Sequence, residues 1–224
     1  MGETMESTQS KAGRALLIAS VLASLGYYLA RNAALPAPAL IAWKGACVGL
    51  LAAYALAAGG SAAHRTIAGV MALGALGDVL IEVSLTYGAL AFFAGHVLAI
   101  TLYLRHRRET MPMSQRLTAA ALLLLTPAIA WLLPADRGQA PGIAIYALAV
   151  GGMACAAWAS AFPRYRVGIG AVLFVVSDLL IFAGMGPLAD SPLPGLLIWP
   201  LYYLGQLLIC LGVIGALRAK ETAA

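Results

Sequence analysis

Apolar residues in this chain come in runs of about 18 or more, the length an α-helix needs to cross a hydrocarbon core of about 30 Å. Eight such runs can be marked, at 13–31, 37–58, 65–86, 87–105, 116–134, 141–161, 166–185 and 193–217. Only a short hairpin near Thr86 to Gly88 separates the third from the fourth. Pro36, Pro38, Pro134, Pro141, Pro163 and Pro187 fall at or near the breaks, where helices are expected to stop. No run alternates polar and apolar residues as a membrane barrel strand would. The charged fraction is 10%, against about 25% in a soluble domain, and 62% of residues are hydrophobic. The expectation is an all-α, polytopic integral membrane bundle of about eight transmembrane helices. Its organisation reads as a polar tail (1–12), one eight-helix membrane domain (13–217) and a short tail (218–224). The long polar lead, with no small-residue cleavage site, marks the first run as a retained helix rather than a secretory signal.

Basic residues set the expected orientation. With eight spans, the N-terminus, the even loops and the C-terminus share one side. That side holds Lys11, Arg14, Arg65, Arg105, Arg107, Arg108, Arg116, Arg164, Arg166, Arg218 and Lys220; the other holds only Arg31 and Arg137. Both termini are therefore expected to be cytoplasmic. The formal net charge of +5 is mostly this topology signal and implies contact with lipid headgroups. No base-reading groups accompany it, so nucleic acid is not an expected partner. The Ala-rich, Arg-rich style resembles a bacterial inner-membrane protein.

One cation belongs to neither side. Lys44, in ALIAWKGACVGLL, lies inside the second run, and it joins Asp78, Glu82, His96, Asp178, Tyr203 and Gln206 as intramembrane polar residues. A charge at a helix centre costs roughly 2.5–3.5 kcal/mol on insertion scales, so such residues usually face the protein interior and pair there. Counted at 1.5 Å per residue from the expected helix ends, Asp78 and Asp178 stand about 18–20 Å up from the cytoplasmic side. Lys44, His96 and Tyr203 stand about 11–15 Å below the outer face, so these levels nearly coincide. Gly74, Asp78 and Glu82 are four apart and share a helical face, with Gly74 leaving room for a neighbour or ligand. Trp199, Tyr203, Gln206 and Cys210 form another stripe, and Phe92, His96 and Tyr103 a third. Glu82 is placed high enough for solvation at the outer interface. A structural ion pair between Lys44 and one aspartate, and interhelical hydrogen bonding by His96, Tyr203 and Gln206, are the plainer alternatives to chemistry. DVLI at the first aspartate and DLLI at the second, 100 residues apart, hint at a parallel duplication of four-helix halves.

Four segments carry a resemblance: GALGDVLIEV (74–83), GALAFFAGHVLAITLY (88–103), GAVLFVVSDLL (170–180) and YYLGQLLICLG (202–212). Together they resemble the YhhN-like lysoplasmalogenase family, through Gly-Asp, Gly-His and Ser-Asp pairs in order on separate helices. The resemblance implies an eight-span membrane hydrolase that cleaves the vinyl-ether bond of lysoplasmalogens. The products would be a fatty aldehyde and glycerophosphoethanolamine or glycerophosphocholine. The family's polar positions carry over to Lys44, Asp78, His96, Asp178, Tyr203 and Gln206, and less firmly to Glu82.

Vinyl-ether hydrolysis protonates the β-carbon, and water captures the oxocarbenium ion that forms. The route needs a general acid, a negative charge beside the cation and a base for water, and two carboxyls in one low-dielectric site supply these. Asp78 and Asp178 are the expected pair, sharing the proton between them, with His96 as shuttle or water-orienting group. Lys44 would hold one carboxylate or meet the phosphate, and Tyr203 and Gln206 would bind the glycerol. No cofactor or metal is implied: Cys47, Cys155 and Cys210 are odd in number and widely spaced, and no HExxH, GxSxG, Walker or GxGxxG pattern occurs. An intramembrane aspartyl protease, whose usual GxGD reads ALGD here, and a proton-coupled transporter or channel are the rival readings.

Overall fold

The computed structural model describes residues 2–223, with side chains from residue 11. Met1 and Ala224, and the side chains of the first ten residues of the expected tail, lie outside the described residues. Eight α-helices follow in order: α1 (Gly2–Ala30), α2 (Ala37–Ala58), α3 (Ala62–Leu80), α4 (Leu85–Arg105), α5 (Met113–Leu132), α6 (Ala140–Ala159), α7 (Ile169–Gly184) and α8 (Leu193–Glu221). A π-helical turn, Arg164–Gly168, leads into α7. No strand occurs among the described residues. Seven of the helices have the length and apolar character to cross a membrane; α3 is the exception.

The ends of these helices follow local chemistry. Pro36 stands in extended conformation ahead of α2, and Pro38 fills an early position where a missing N–H costs no helical bond. Ser61 caps α3 by accepting the His64 backbone N–H at 3.4 Å. Proline precedes α5 at Pro112 and the π-helical turn at Pro163. The third apolar run was expected to stay helical to residue 86, but α3 ends at Leu80. The N–H groups of Val83 and Ser84 both turn back to the Leu80 carbonyl, closing a tight bend. Gly88 seals it: a Cβ there would lie 2.6 Å from the Ile81 Cβ. Residues 79–85, VLIEVSL, hold no Gly, Pro, Asn or Asp to announce that turn.

The chain divides into two compact units, Met1–Leu98 with Val213–Ala224, and Ala99–Gly212. In the first, α2 packs against both α1 and α3. Trp43 Nε1 donates to the Ala23 carbonyl at 2.9 Å, and Ser20 Oγ donates to the Cys47 carbonyl at 2.6 Å. Gly45 lets α3 approach closely, since a Cβ on it would meet Val79 Cγ2 at 2.5 Å. The end of α8 returns to this unit, where Arg218 Nε donates to the Ala58 carbonyl at 3.3 Å. In the second unit α5, α6 and α7 pack around Ala130, Ala147 and Phe182. There α7 and α8 cross almost backbone to backbone, because a Cβ on Gly170 would lie 2.7 Å from the Gly205 carbonyl oxygen. Small residues at such crossings are how helices gain contact where no water drives them together.

Candidate active site

In the first unit the charged residues sort by depth along the α2–α3 pair. The two helices run antiparallel, with Gly45 against Val79 and Gly49 against Ala75, so the Lys44 backbone stands level with Val79 and Leu80, between Asp78 and Glu82. Its ammonium goes to Glu82, Nζ to Oε1 at 2.5 Å, and not to the aspartate considered above as its structural partner. The cause is the tilt of helical side chains toward their own N-terminus. α2 begins at the end where α3 finishes, so Lys44 leans away from Asp78 toward the hairpin turn. The pair is graded in exposure, 15% for the Lys44 side chain and 40% for Glu82. Glu82 is thus part-solvated, as its position predicted, but it is also ion-paired.

One helical turn deeper on α3, Asp78 is 3% exposed. α4 packs beside α3 through Phe92 on Gly77 and Gly95 on Leu73. That register sets buried His96 about five residues, or roughly 7–8 Å, below Asp78 along the helix axes, not at its level.

In the second unit Asp178, 5% exposed on α7, accepts a hydrogen bond from the Tyr146 hydroxyl of α6 at 2.8 Å. Tyr146 is itself set by an edge-to-face contact with Phe182, ring centroids 6.0 Å apart. Sequence reasoning missed this tyrosine, which sits alone in the apolar IAIYALAV with no polar residue at helical spacing. On α8, Tyr202 meets Phe174 edge to face at 5.3 Å, and Trp199 stacks on Tyr203 at 6.3 Å. Gln206 Nε2 donates to the Tyr202 hydroxyl at 3.4 Å. Gly170 meets both Gly205 and Ile209, and Phe174 meets Tyr202, so the antiparallel register of α7 and α8 carries Asp178 opposite residues 197–201, centred on Trp199. Tyr203 and Gln206 then stand about 6 Å and 11 Å from its level along the axis. The structure keeps Tyr203 and Gln206 buried together and gives Asp178 the Tyr146 hydroxyl instead.

Comparison with known proteins adds a second line. The YhhN family profile matches residues 39–213. The chain belongs to the YhhN family. Two proteins named lysoplasmalogenase, from Mycobacterium bovis (strain ATCC BAA-935 / AF2122/97) and Mycobacterium tuberculosis (strain CDC 1551 / Oshkosh), are each 28% identical over 193 residues. The similarity covers 82% of this chain and 73% of each relative. No solved structure matches the chain. The family match begins five residues before Lys44 and takes in Asp78, Glu82, His96, Tyr146, Asp178, Tyr203 and Gln206. With these relatives, hydrolysis is the class of activity supported for the YhhN chain. Each unit holds one carboxyl almost wholly out of solvent, and the first adds an ion pair where α3 turns toward α4.

Proposed function

We propose that this protein is a membrane hydrolase of the vinyl-ether bond in lysoplasmalogens, and that Asp78 and Asp178 supply its acid and base. The observation that carries the reading is the burial of these carboxyls, 3% and 5% exposed, in a member of a family whose similar relatives bear the name lysoplasmalogenase. One carboxyl delivers a proton to the β-carbon of the vinyl ether. The developing oxocarbenium ion is stabilised by the other carboxylate, which then takes a proton from the attacking water. The hemiacetal collapses to a fatty aldehyde and the glycerophospho-alcohol. His96 is assigned to proton exchange with Asp78, and Tyr203 and Gln206 to hydrogen bonds with the glycerol. Lys44 and Glu82 are assigned to the polar end of the lysophospholipid. Tyr146, bound to Asp178 Oδ2, fixes the orientation of that carboxyl and is a positioning residue. The bacterial inner membrane is the proposed location, with both termini cytoplasmic.

The decisive assay is aldehyde release from lysoplasmenylethanolamine by purified, detergent-solubilised protein, with Asp78→Asn and Asp178→Asn alongside. Aldehyde from the wild type and none from either variant, at unchanged membrane insertion, is the expected result. No aldehyde from folded wild-type protein overturns the hydrolase, and an active variant removes that aspartate from the mechanism.

A further inference from the structure

Lys44 and Glu82 form an ion pair with an unusual placement. It is half open, it sits where α3 turns into α4, and it lies one helical turn from the buried Asp78 on the same face. As a structural device it is weakly favourable, since the cost of taking two charges out of water offsets much of their attraction. A lysophospholipid with an amine headgroup presents the complementary charges, a phosphodiester anion joined by two carbons to an ammonium. From the pair we infer that Lys44 and Glu82 form a charge-complementary reader of a zwitterionic headgroup, the ammonium of Lys44 meeting the phosphodiester and the carboxylate of Glu82 meeting the headgroup amine. The inference rests on the lysoplasmalogen reading and deepens it by fixing which headgroups the site takes.

Three features of the structure support it. The lysine's backbone is fixed beside the close crossing of Gly45 on Val79, and its long side chain reaches from there to the turn. Glu82 belongs to the turn after α3 rather than to the helix, so it can shift by a rotamer without disturbing helical bonds. The distance from the pair to Asp78 is one turn of helix, about 6 Å along the axis, the scale of the glycerol backbone that joins a headgroup phosphate to a vinyl-ether oxygen. Binding exchanges one ion pair for two, so the charge of Lys44 is matched before and after. A headgroup without an amine satisfies Lys44 but leaves Glu82 beside an uncompensated phosphate. That discriminates by repulsion as well as by a missing bond.

The test compares phosphoethanolamine with phosphoglycerol, which keeps the phosphodiester and replaces the ammonium by hydroxyls. Binding is read with saturated 1-O-alkyl lysolipids, which lack the vinyl group and cannot be cleaved; turnover is read with the alkenyl forms. Wild-type protein is expected to bind the phosphoethanolamine form about tenfold or more tightly, and Glu82→Gln to shrink that ratio to within about threefold. Lys44→Gln is expected to weaken both ligands by about tenfold, because both lose the phosphate contact. Unchanged discrimination in Glu82→Gln, or unchanged affinity in Lys44→Gln, refutes the headgroup reader even where aldehyde is released normally. Retained headgroup discrimination with no aldehyde from any alkenyl substrate upholds the reader and overturns the hydrolase. The double variant Lys44→Glu, Glu82→Lys, which keeps the pair, separates loss of recognition from loss of folding: it must insert like the wild type.

Discussion

Removing one oxygen atom, in Tyr146→Phe, tests whether Asp178 is held for chemistry. The ring stays, and with it the edge-to-face contact to Phe182, so packing around Ala130, Ala147 and Phe182 is preserved. What goes is a single donor, 2.8 Å from Asp178 Oδ2. A hydrogen bond to a charged group contributes about 1.5–3 kcal/mol, and one between neutral groups about 0.5–1.5 kcal/mol. At 1.36 kcal/mol per factor of ten, turnover should fall by about ten- to a hundredfold if Asp178 is ionised in the rate-limiting step, and by about two- to tenfold if it is protonated. Stability should hardly follow. Interhelical polar contacts in membrane proteins average about 0.6 kcal/mol, because the reference state within the bilayer also finds partners. For a chain of this length that is about 2 °C in Tm. The assay is aldehyde release in detergent, with kcat and KM measured apart and Tm from the same preparation. The fall is expected in kcat, with KM changed by less than about twofold. A kcat within twofold of wild type refutes the assignment of Asp178 and its donor to the reaction. A loss of kcat matched by an equal loss of folded protein reduces Tyr146 to a structural contact.

Three further outcomes are expected. Gly205→Val forces a side chain to within 2.7 Å of the Gly170 carbonyl oxygen and should cost about 1–3 kcal/mol, seen as a lowered Tm in detergent. Gly142→Ala, with nothing within 4 Å, should be neutral or stabilise by up to about 1 kcal/mol, and an equal loss in both would refute the close α7–α8 crossing. In the loop before α6, the Gln139 side chain and the Gly138 N–H hold the Asp136 carboxyl below the ordinary aspartate range. A lowered folded pKa favours the folded turn at all pH above the ordinary value of about 3.9, and the benefit fades as pH falls through the folded pKa. The Gly138 amide resonance should therefore titrate with a midpoint below about 3.9; a midpoint at or above it would break the assignment. His96→Gln should slow proton exchange, giving turnover whose pH profile differs in shape from wild type; an unchanged profile removes His96 from the proton path.

The helices were legible because their cause is local: apolar length and proline punctuation are written in consecutive residues. The third run shows the limit. Its end depends on a bend sealed by Gly88 against Ile81, a contact across the turn that a stretch without Pro, Asn or Asp does not advertise. Register was harder still. Depth counted from helix ends carries an error of several residues, and a helical turn is only about 5.4 Å. Tyr203 is expected level with Asp178, and the crossing of α7 with α8 centres that level on Trp199, about one helical turn away. Tyr146 escaped for a different reason. A lone tyrosine in an apolar helix gives no period to detect, and its value lies entirely in which helix face α7 turns toward it.

Lys44 shows how a charge's partner can be argued once register is known. Its backbone stands between Asp78 and Glu82 in level, so depth alone does not choose between the two carboxyls. The lean of a helical side chain toward its N-terminus decides, carrying the ammonium to Glu82 at 2.5 Å. A chain selected only to neutralise this lysine gains nothing by placing a second carboxylate at the turn when one already lies within about half a helical turn of its level. The arrangement makes sense if the two carboxylates have different work: Glu82 balances the lysine at the mouth of the hairpin, and Asp78, 3% exposed, is left to a deeper task. Burying an aspartate by a helix centre costs roughly 2.5–3.5 kcal/mol. The proposed acid–base role gives that cost a use, because a carboxyl away from bulk water can hold its proton for transfer.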